Sequence, residues 1–88
     1  MSNYIFIGNI PFEIDEGTLS DFIRHTGTKP VSVRVMRDTY SGRSRGFGFA
    51  AFENEQEAQI ASQALHRQPI MDRLLVVNRS ILYPQARI

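Results

Sequence analysis

An α+β fold is predicted from two features of the sequence. Short segments alternate apolar and polar residues as half-buried strands do, and two intervening segments begin with helix-capping residues and repeat apolar residues every three or four positions. Their order, β-α-β-β-α-β, is that of the ferredoxin-like, split βαβ arrangement. Right-handed crossovers place both helices on one face of a four-stranded antiparallel sheet. The opposite face stays open, and a functional surface is expected there.

The strands are separated by segments rich in turn-forming residues. Asp38–Ser44, with Gly42 available for a positive φ, reads as a hairpin loop, and Gln68–Arg73 reads as a turn or short hairpin. The predicted strands are, in chain order, Tyr4–Gly8, Val31–Arg37, Gly46–Phe52 and Leu74–Asn78.

The first helix is predicted between Asp15 and Gly27. Asp15 is a favourable N-cap, Glu16 adds an acid to the first turn, and Gly27 can end the helix. Its buried face consists of apolar residues at helical spacing: Leu19, Phe22 and Ile23.

The second helix is predicted from a capping-box pattern. Asn54 is followed three residues later by Glu57, as in segments where an N-cap and a first-turn acid satisfy backbone N–H groups. Its packing stripe is small and apolar: Ala58, Ala61, Ala64 and Leu65.

Alternation assigns the faces of three strands. The residues predicted to face the helices are Ile5, Ile7, Val31, Val33, Val35, Leu75 and Val77. The residues predicted to face outward are Tyr4, Phe6, Gly8, Ser32, Arg34, Met36, Leu74, Val76 and Asn78.

The third strand has two interpretations by periodicity alone, because both of its faces carry phenylalanine. If Phe47 and Phe49 point outward, they join Phe6 in an aromatic patch, and Phe52 fills the core. Gly48 and Ala50 would then let the helices pack close to the sheet. Three exposed phenylalanines are costly on a monomer unless a partner covers them.

Charge is concentrated in one segment of a nearly neutral chain. Net charge is +1, yet residues 29–45 carry five basic residues and one acidic residue, whereas the rest carries five basic and eight acidic residues. One basic face suits an anion such as a phosphate backbone, although a solvated loop would also explain it.

The length of 88 residues predicts one domain, 1–88, with its core at about 3–80 and a C-terminal tail at 81–88. Absence of cysteine excludes disulfides and Cys-based metal sites. Neither a membrane-spanning run nor a signal peptide is recognisable, so an intracellular location is expected, with nucleus and cytoplasm not distinguished.

Two motifs resemble those of the RNA recognition motif (RRM, RNP-type) family. Residues 45–52, RGFGFAAF, look like its octamer, and residues 5–10, IFIGNI, look like its hexamer, each on the strand where the family carries it. The resemblance extends over about Asn3 to Ser80. It implies single-stranded RNA binding in which Phe6 and Phe47 each stack on a base, Phe49 inserts beside them, and Arg45 meets a phosphate.

Further binding residues are expected around this cluster. Tyr4, Arg34 and Met36 would line the track, and Asn78 and Ser80 would hydrogen-bond base edges. The tail is expected to dock partly over the sheet. The rim arginines that would reach phosphates are Arg37, Arg43 and Arg79.

Several departures and alternatives remain at this stage. Ala50 is small for its octamer position, and Arg67 and Asp72 stand at turn positions where the family often has glycine. A protein–protein interaction module of the same fold, or single-stranded DNA binding, is the alternative function. No enzyme is predicted, because no carboxylate pair, triad or metal cluster can be assembled and Gly46-Phe47-Gly48 lies within a strand. We therefore expect a monomer with no cofactor, metal, membrane or small-molecule partner, and the preferred RNA sequence is undetermined.

Overall fold

The computed structural model describes residues 2–84 and contains two helices and six strands. The elements are β1 (Tyr4–Gly8), α1 (Glu16–His25), β2 (Ser32–Arg37), β3 (Ser44–Ala51), α2 (Glu55–Leu65), β4 (Pro69–Ile70), β5 (Arg73–Leu74) and β6 (Val76–Ser80).

The main sheet is antiparallel, with the strand order β2-β3-β1-β6. Strands β4 and β5 form a separate two-stranded hairpin before β6. Helix α1 packs mainly on β2, and α2 packs on β6 and β1, so both helices cover one face of the sheet. The predicted fold class is confirmed.

Both helices begin where the capping residues predicted. The Asp15 carboxylate accepts a hydrogen bond from the Thr18 N–H at 2.9 Å, and the Asn54 side-chain oxygen accepts one from the Glu57 N–H at 2.8 Å. These bonds satisfy N–H groups that have no partner inside the helix. The core between helices and sheet is formed largely by Ile5, Ile7, Ile10, Leu19, Ile23, Phe52, Leu65, Leu75 and Val77.

The boundaries of three strands differ from the predicted ones. The third strand, β3, runs from Ser44 to Ala51 instead of Gly46 to Phe52, and the strands before and after it also differ. Val31 was predicted to face the core, but it precedes β2 and is 65% exposed; only its N–H is engaged, donating to the Ala51 carbonyl. The last predicted strand is interrupted, because Leu74 pairs with Pro69 in the hairpin and β6 then continues to Ser80. The alternation of apolar and polar residues along a segment does not determine the strand with which each residue pairs.

The turns around the small hairpin use non-glycine residues in the left-handed region. Arg67 has φ 65°, at one of the two positions singled out in the sequence. In the hairpin turn the positive φ of 55° belongs to Met71 and not to its neighbour Asp72. Positive φ is unfavourable for residues with a Cβ, so both turns carry some strain.

The small residues of β3 are small for two different reasons. Ala50 is fully buried on the helix side, as expected for close helix packing. The reason given for Gly48 was wrong. A Cβ at this position would lie 2.1 Å from the Arg34 carbonyl oxygen, so the constraint comes from the backbone of β2 and not from a helix.

Candidate nucleic-acid interface

Strand register arranges the outward side chains in three rows across the sheet. The middle row runs Arg34, Phe49, Phe6, Asn78. The row on one side of it runs Ser32, Ala51, Tyr4, Ser80. The row on the other side contains Phe47, Gly8 and Val76.

Phe6, Phe47 and Phe49 form one phenylalanine cluster on this open face. Their ring centroids lie 5.9 Å (Phe6–Phe47), 5.8 Å (Phe6–Phe49) and 6.2 Å (Phe47–Phe49) apart, with tilted or edge-on orientations. All three rings are half-buried, whereas Gly48 and Ala50 on the other side of β3, and Phe52 directly after this strand, are buried. The two interpretations of the third strand are thereby reduced to the outward one.

Gly8 gives the Phe6 ring its place on the sheet. A Cβ at Gly8 would lie 2.9 Å from Cε2 and 3.1 Å from Cζ of Phe6, so the ring lies across the glycine. The absence of a Cβ at Gly8 therefore gives the Phe6 ring the space that it occupies on the open face.

Guanidinium groups flank the cluster. Cζ of Arg45 lies 5.3 Å from the centroid of the Phe47 ring, within the range of a cation–π contact. Arg34 is the cross-strand neighbour of Phe49, and Met36 follows it as a half-buried residue near the end of β2. Arg43 is exposed in the loop between β2 and β3, beyond the last paired residues of these strands.

The tail covers the row that contains Tyr4. The rings of Tyr4 and Tyr83 have centroids 5.0 Å apart at 30°, and the Tyr83 hydroxyl forms a hydrogen bond with the Ser32 hydroxyl. Tyr83 thus bridges the strands on either side of Ala51, which is only 8% exposed although it shares the outward face. The expected partial docking of the tail is confirmed for Tyr83; residues 85–88 lie outside the described residues.

Ser80 is also engaged by the tail. Its hydroxyl donates to the Leu82 carbonyl at 2.9 Å and accepts from the Leu82 N–H at 3.0 Å. Asn78, in contrast, is exposed beside Phe6. Of the two residues expected to contact base edges, only Asn78 has its side chain free of the tail.

Two of the expected rim arginines lie on the helix side. Arg37 forms an ion pair with Glu16 at 3.1 Å, and Arg79 forms one with Glu55 at 3.7 Å. Burial raises the pKa of Glu16, but hydrogen bonds from the Val35 N–H and from Arg37 outweigh it, so the pKa lies below its usual value. These arginines tie strands to helix N-termini and do not flank the phenylalanine cluster.

Two residues of the loop after β1 were not among the binding residues predicted from the sequence, although Asn9 lies within the hexamer at residues 5–10. Asn9, with φ 61°, donates a hydrogen bond to the Leu74 carbonyl at 2.9 Å and accepts one from Arg73 at 3.2 Å. Phe12 is 63% exposed, with Cζ of Arg73 5.6 Å from its ring centroid. The only sequence feature that could have drawn attention to Phe12 is its position as an aromatic residue between Pro11 and Glu13 in a loop.

Among residues 2–84, no helix is both long enough and apolar enough to cross a membrane. Over the same residues, no three His, Asp or Glu side chains are grouped so as to hold a metal ion.

Comparison with known proteins gives consistent similarities. A family model described as RNA recognition motif matches residues 5–76. The chain is 42% identical over 74 residues to RNA-binding protein CP31B, chloroplastic, of Arabidopsis thaliana, covering 84% of this chain and 25% of that protein. The chain spans between 25% and 31% of the length of the first curated relatives it matches.

Solved structures show the same fold. The crystal structure of RNA binding protein PG1 superimposes with a TM-score of 0.83 at 34% identity, covering 96% of this chain and all of that one. The first two RRM domains of yeast poly(U) binding protein (Pub1) match with a TM-score of 0.80 at 30% identity, covering 88% of this chain and 46% of that one.

Proposed function

The chain belongs to the RNA recognition motif family, and from that premise we propose that it binds single-stranded RNA on the open face of its sheet. The observation that supports this most strongly is the phenylalanine cluster, three half-exposed rings in mutual contact with no helix over them. Exposing an aromatic surface of this kind to water is unfavourable in free energy. A planar ligand that covers the surface removes it from water and so binds favourably.

Unpaired bases are suitable ligands because they expose π-faces that a duplex hides. Stacking on an aromatic side chain stabilises a bound base by roughly 1–3 kcal/mol. We assign Phe6 and Phe47 as two stacking platforms and Phe49 as the residue that inserts beside them against a sugar or a neighbouring base. Two or three such contacts predict an affinity on the order of micromolar, once the costs of association are subtracted.

Phosphate contacts come from the arginines on the same side of the sheet. Arg45 lies against Phe47, and Arg34 lies beside Phe49, so both can pair with the backbone of a strand whose bases stack on the cluster. Arg43 extends this positive surface along the β2–β3 loop. Asn78 supplies an amide for hydrogen bonding to a base edge, and Met36 adds a half-buried apolar side chain from β2.

Tyr4 and Ser80 differ from the other proposed binding residues because the tail contacts both side chains. Both face the open side of the sheet, but Tyr83 stacks on the first and Leu82 engages the second. They contact RNA only when the tail moves, which makes the Tyr4 row a secondary part of the interface.

The proposed unit is residues 3–80 acting as a monomer without catalytic activity, and the family match at 5–76 lies within it. RNA is preferred over single-stranded DNA because relatives are named ribonucleoproteins. Stacking itself does not read the 2′-hydroxyl, so the preference is tested by competing labelled RNA with DNA of the same sequence. The relatives are also named chloroplastic, which supports an intracellular location for this chain.

The direct test is a titration of short labelled single-stranded RNA pools, followed by fluorescence anisotropy. Replacing both Phe47 and Phe49 with alanine removes one stacking platform and the ring inserted beside it, so we expect affinity to fall by about thirtyfold or more. Ile60→Ala on α2 is the matched control, because Ile60 is exposed on the helix side. Equal binding by wild type and the double variant contradicts the stacking proposal.

A further inference from the structure

Phe12 is a large aromatic side chain held mostly in solvent. It lies in the loop between β1 and α1, and 63% of its surface is exposed although the neighbouring Pro11 and Ile10 are buried. The phenylalanine cluster on the open face leaves Phe12 without an assigned role.

The Phe12 ring nonetheless contacts two neighbours, Gly46 and Arg73. A Cβ at Gly46 would lie 3.0 Å from its Cε1 atom, so the ring rests against the backbone of β3. The Ile10 N–H donates to the Gly46 carbonyl at 2.9 Å, which anchors the loop to that strand. Arg73, itself hydrogen-bonded to Asn9, lies 5.6 Å from the ring centroid.

This arrangement repeats the one at Phe47. Each ring has a guanidinium group over it, at 5.3 Å for Arg45 on Phe47 and 5.6 Å for Arg73 on Phe12. Gly46 joins the two, because it is the residue before Phe47 and the residue on which Phe12 rests. Phe12 therefore contacts β3 at the residue that directly precedes Phe47, at the end of the sheet where β1 passes into the β1–α1 loop.

We propose that Phe12, with Arg73 beside it, forms a further nucleotide-binding position that stacks a nucleobase of the same RNA strand next to the base on Phe47. This inference rests on the proposed function. Because the ring is already held by Gly46 and Arg73, stacking a base on it orders few additional groups.

Acidic residues neighbour both Phe12 and Arg73 in the sequence, which bears on whether RNA is held there by stacking or by phosphate pairing. Glu13 follows Phe12, and Asp72 precedes Arg73, so the position carries two acids with its one arginine. Stacking on the ring, and not phosphate pairing, then supplies most of the affinity. Substitution of Phe12 should change affinity while leaving the salt dependence of binding unchanged.

The first experiment uses a random-sequence RNA of eight nucleotides, labelled with fluorescein and followed by anisotropy. Phe12→Leu keeps an apolar side chain against Gly46 but removes the π-face, and we expect five- to thirtyfold weaker binding. Phe12→Tyr keeps the ring and should bind within twofold of wild type. Equal binding by Phe12→Leu and wild type, or a change in the salt slope instead of the affinity, overturns the proposal.

A second measurement reports contact directly. The chain contains no tryptophan, so Phe12→Trp gives a single tryptophan at the proposed position, and its emission can be excited apart from that of the three tyrosines. We expect the same RNA, without its fluorescein label, to quench the tryptophan emission, whereas the emission of Ile60→Trp on α2 should be unaffected. An unquenched Phe12→Trp in a saturated complex contradicts the inference, even if a Phe12 variant has lost stability.

The two proposals fail in different ways. If wild type does not bind the RNA at all, the proposed function and this inference both fail. If wild type binds and the Phe47, Phe49 double variant does not, while every Phe12 variant behaves as wild type, the inference alone fails.

Discussion

The two ends of the open sheet face differ in what covers them. At one end, Phe6, Phe47 and Phe49 contact one another and nothing else in residues 2–84 lies over them as a stacked aromatic. At the other end, Tyr83 stacks on Tyr4 and the tail engages Ser80. The same sheet thus offers one surface ready for a ligand and another that is occupied by its own chain.

This difference shows that outward orientation does not by itself make a binding residue. Tyr4 and Phe6 are two residues apart on the same face of β1, yet the Tyr83 ring of the tail stacks on Tyr4 and not on Phe6. Strand alternation identifies both as outward, but only the three-dimensional structure separates them.

The largest expected effect is a loss of stability on substitution of Gly48, which lies in β3 between Phe47 and Phe49. Gly48→Ala would place a methyl group 2.1 Å from the Arg34 carbonyl, so β2 and β3 must separate where Arg34 and Phe49 pair. We expect a loss of about 3 kcal/mol or more in unfolding free energy, measured by urea denaturation.

Gly17→Ala is the matched control for this change. Gly17 lies in the first turn of α1, and a Cβ there meets only the Asp15 carboxylate at 3.7 Å. Its stability should equal or exceed that of wild type, because alanine is the better helix former. Equal stability of Gly48→Ala and wild type would show that the strands can separate at little cost.

A smaller effect on RNA affinity is expected from Gly8→Ala. The new methyl group would lie 2.9 Å from the Phe6 ring, which is flexible enough to rotate, so the fold should survive while the platform tilts. We expect about three- to tenfold weaker RNA binding in anisotropy titrations, with a nearly unchanged melting temperature. Unaltered affinity would mean that the position of the Phe6 ring does not matter.

Removing the Tyr83 ring should uncover Tyr4, so that both ends of the open sheet face become accessible to RNA. The Tyr4–Tyr83 ring contact stabilises the docked tail by about 0.5–1.5 kcal/mol, and RNA that uses Tyr4 must first break it. Tyr83→Ala should therefore bind RNA about two- to fivefold more tightly, and Tyr83→Phe, which keeps the ring, should lie between. Weaker binding by Tyr83→Ala would instead identify Tyr83 as a residue that holds RNA.

The smallest effect concerns the helix side, where Glu16 holds Arg37. The lowered pKa of Glu16 means that its stabilisation is complete above the unfolded value of 4.5 and is lost as the pH falls through the folded-state pKa. The ion pair is more than one third exposed, so the effect should stay below about 1 kcal/mol. Glu16→Gln keeps an acceptor for the Val35 N–H and should lose less stability than wild type between pH 7 and pH 3.

Much of the fold was predictable because its signals are local. Caps at Asp15 and Asn54 begin the helices, and alternation assigns Ile5, Ile7, Leu75 and Val77 to the core. The break between Leu74 and Val76 was not predictable, since it depends on Leu74 pairing with Pro69.

The phenylalanine cluster was predictable because its residues occupy recognisable motifs on two strands. The roles of Gly48 and Phe12 were not. Gly48 is determined by the carbonyl of another strand, and Phe12 by its contacts with Gly46 and Arg73, which are distant in sequence. The residues that contact Gly48 and Phe12 come close to them only in the folded chain, so the sequence does not reveal these contacts.

The most direct test of the central claim is an aromatic NMR titration of the six phenylalanine rings with single-stranded RNA. In the saturated complex, the ring signals of Phe6, Phe47 and Phe49 should move strongly, because a stacked base shields them. Those of Phe22, packed against the core, and of Phe52, buried in it, should stay in place and serve as internal controls. Bound RNA with unmoved signals from the phenylalanine cluster would contradict the account.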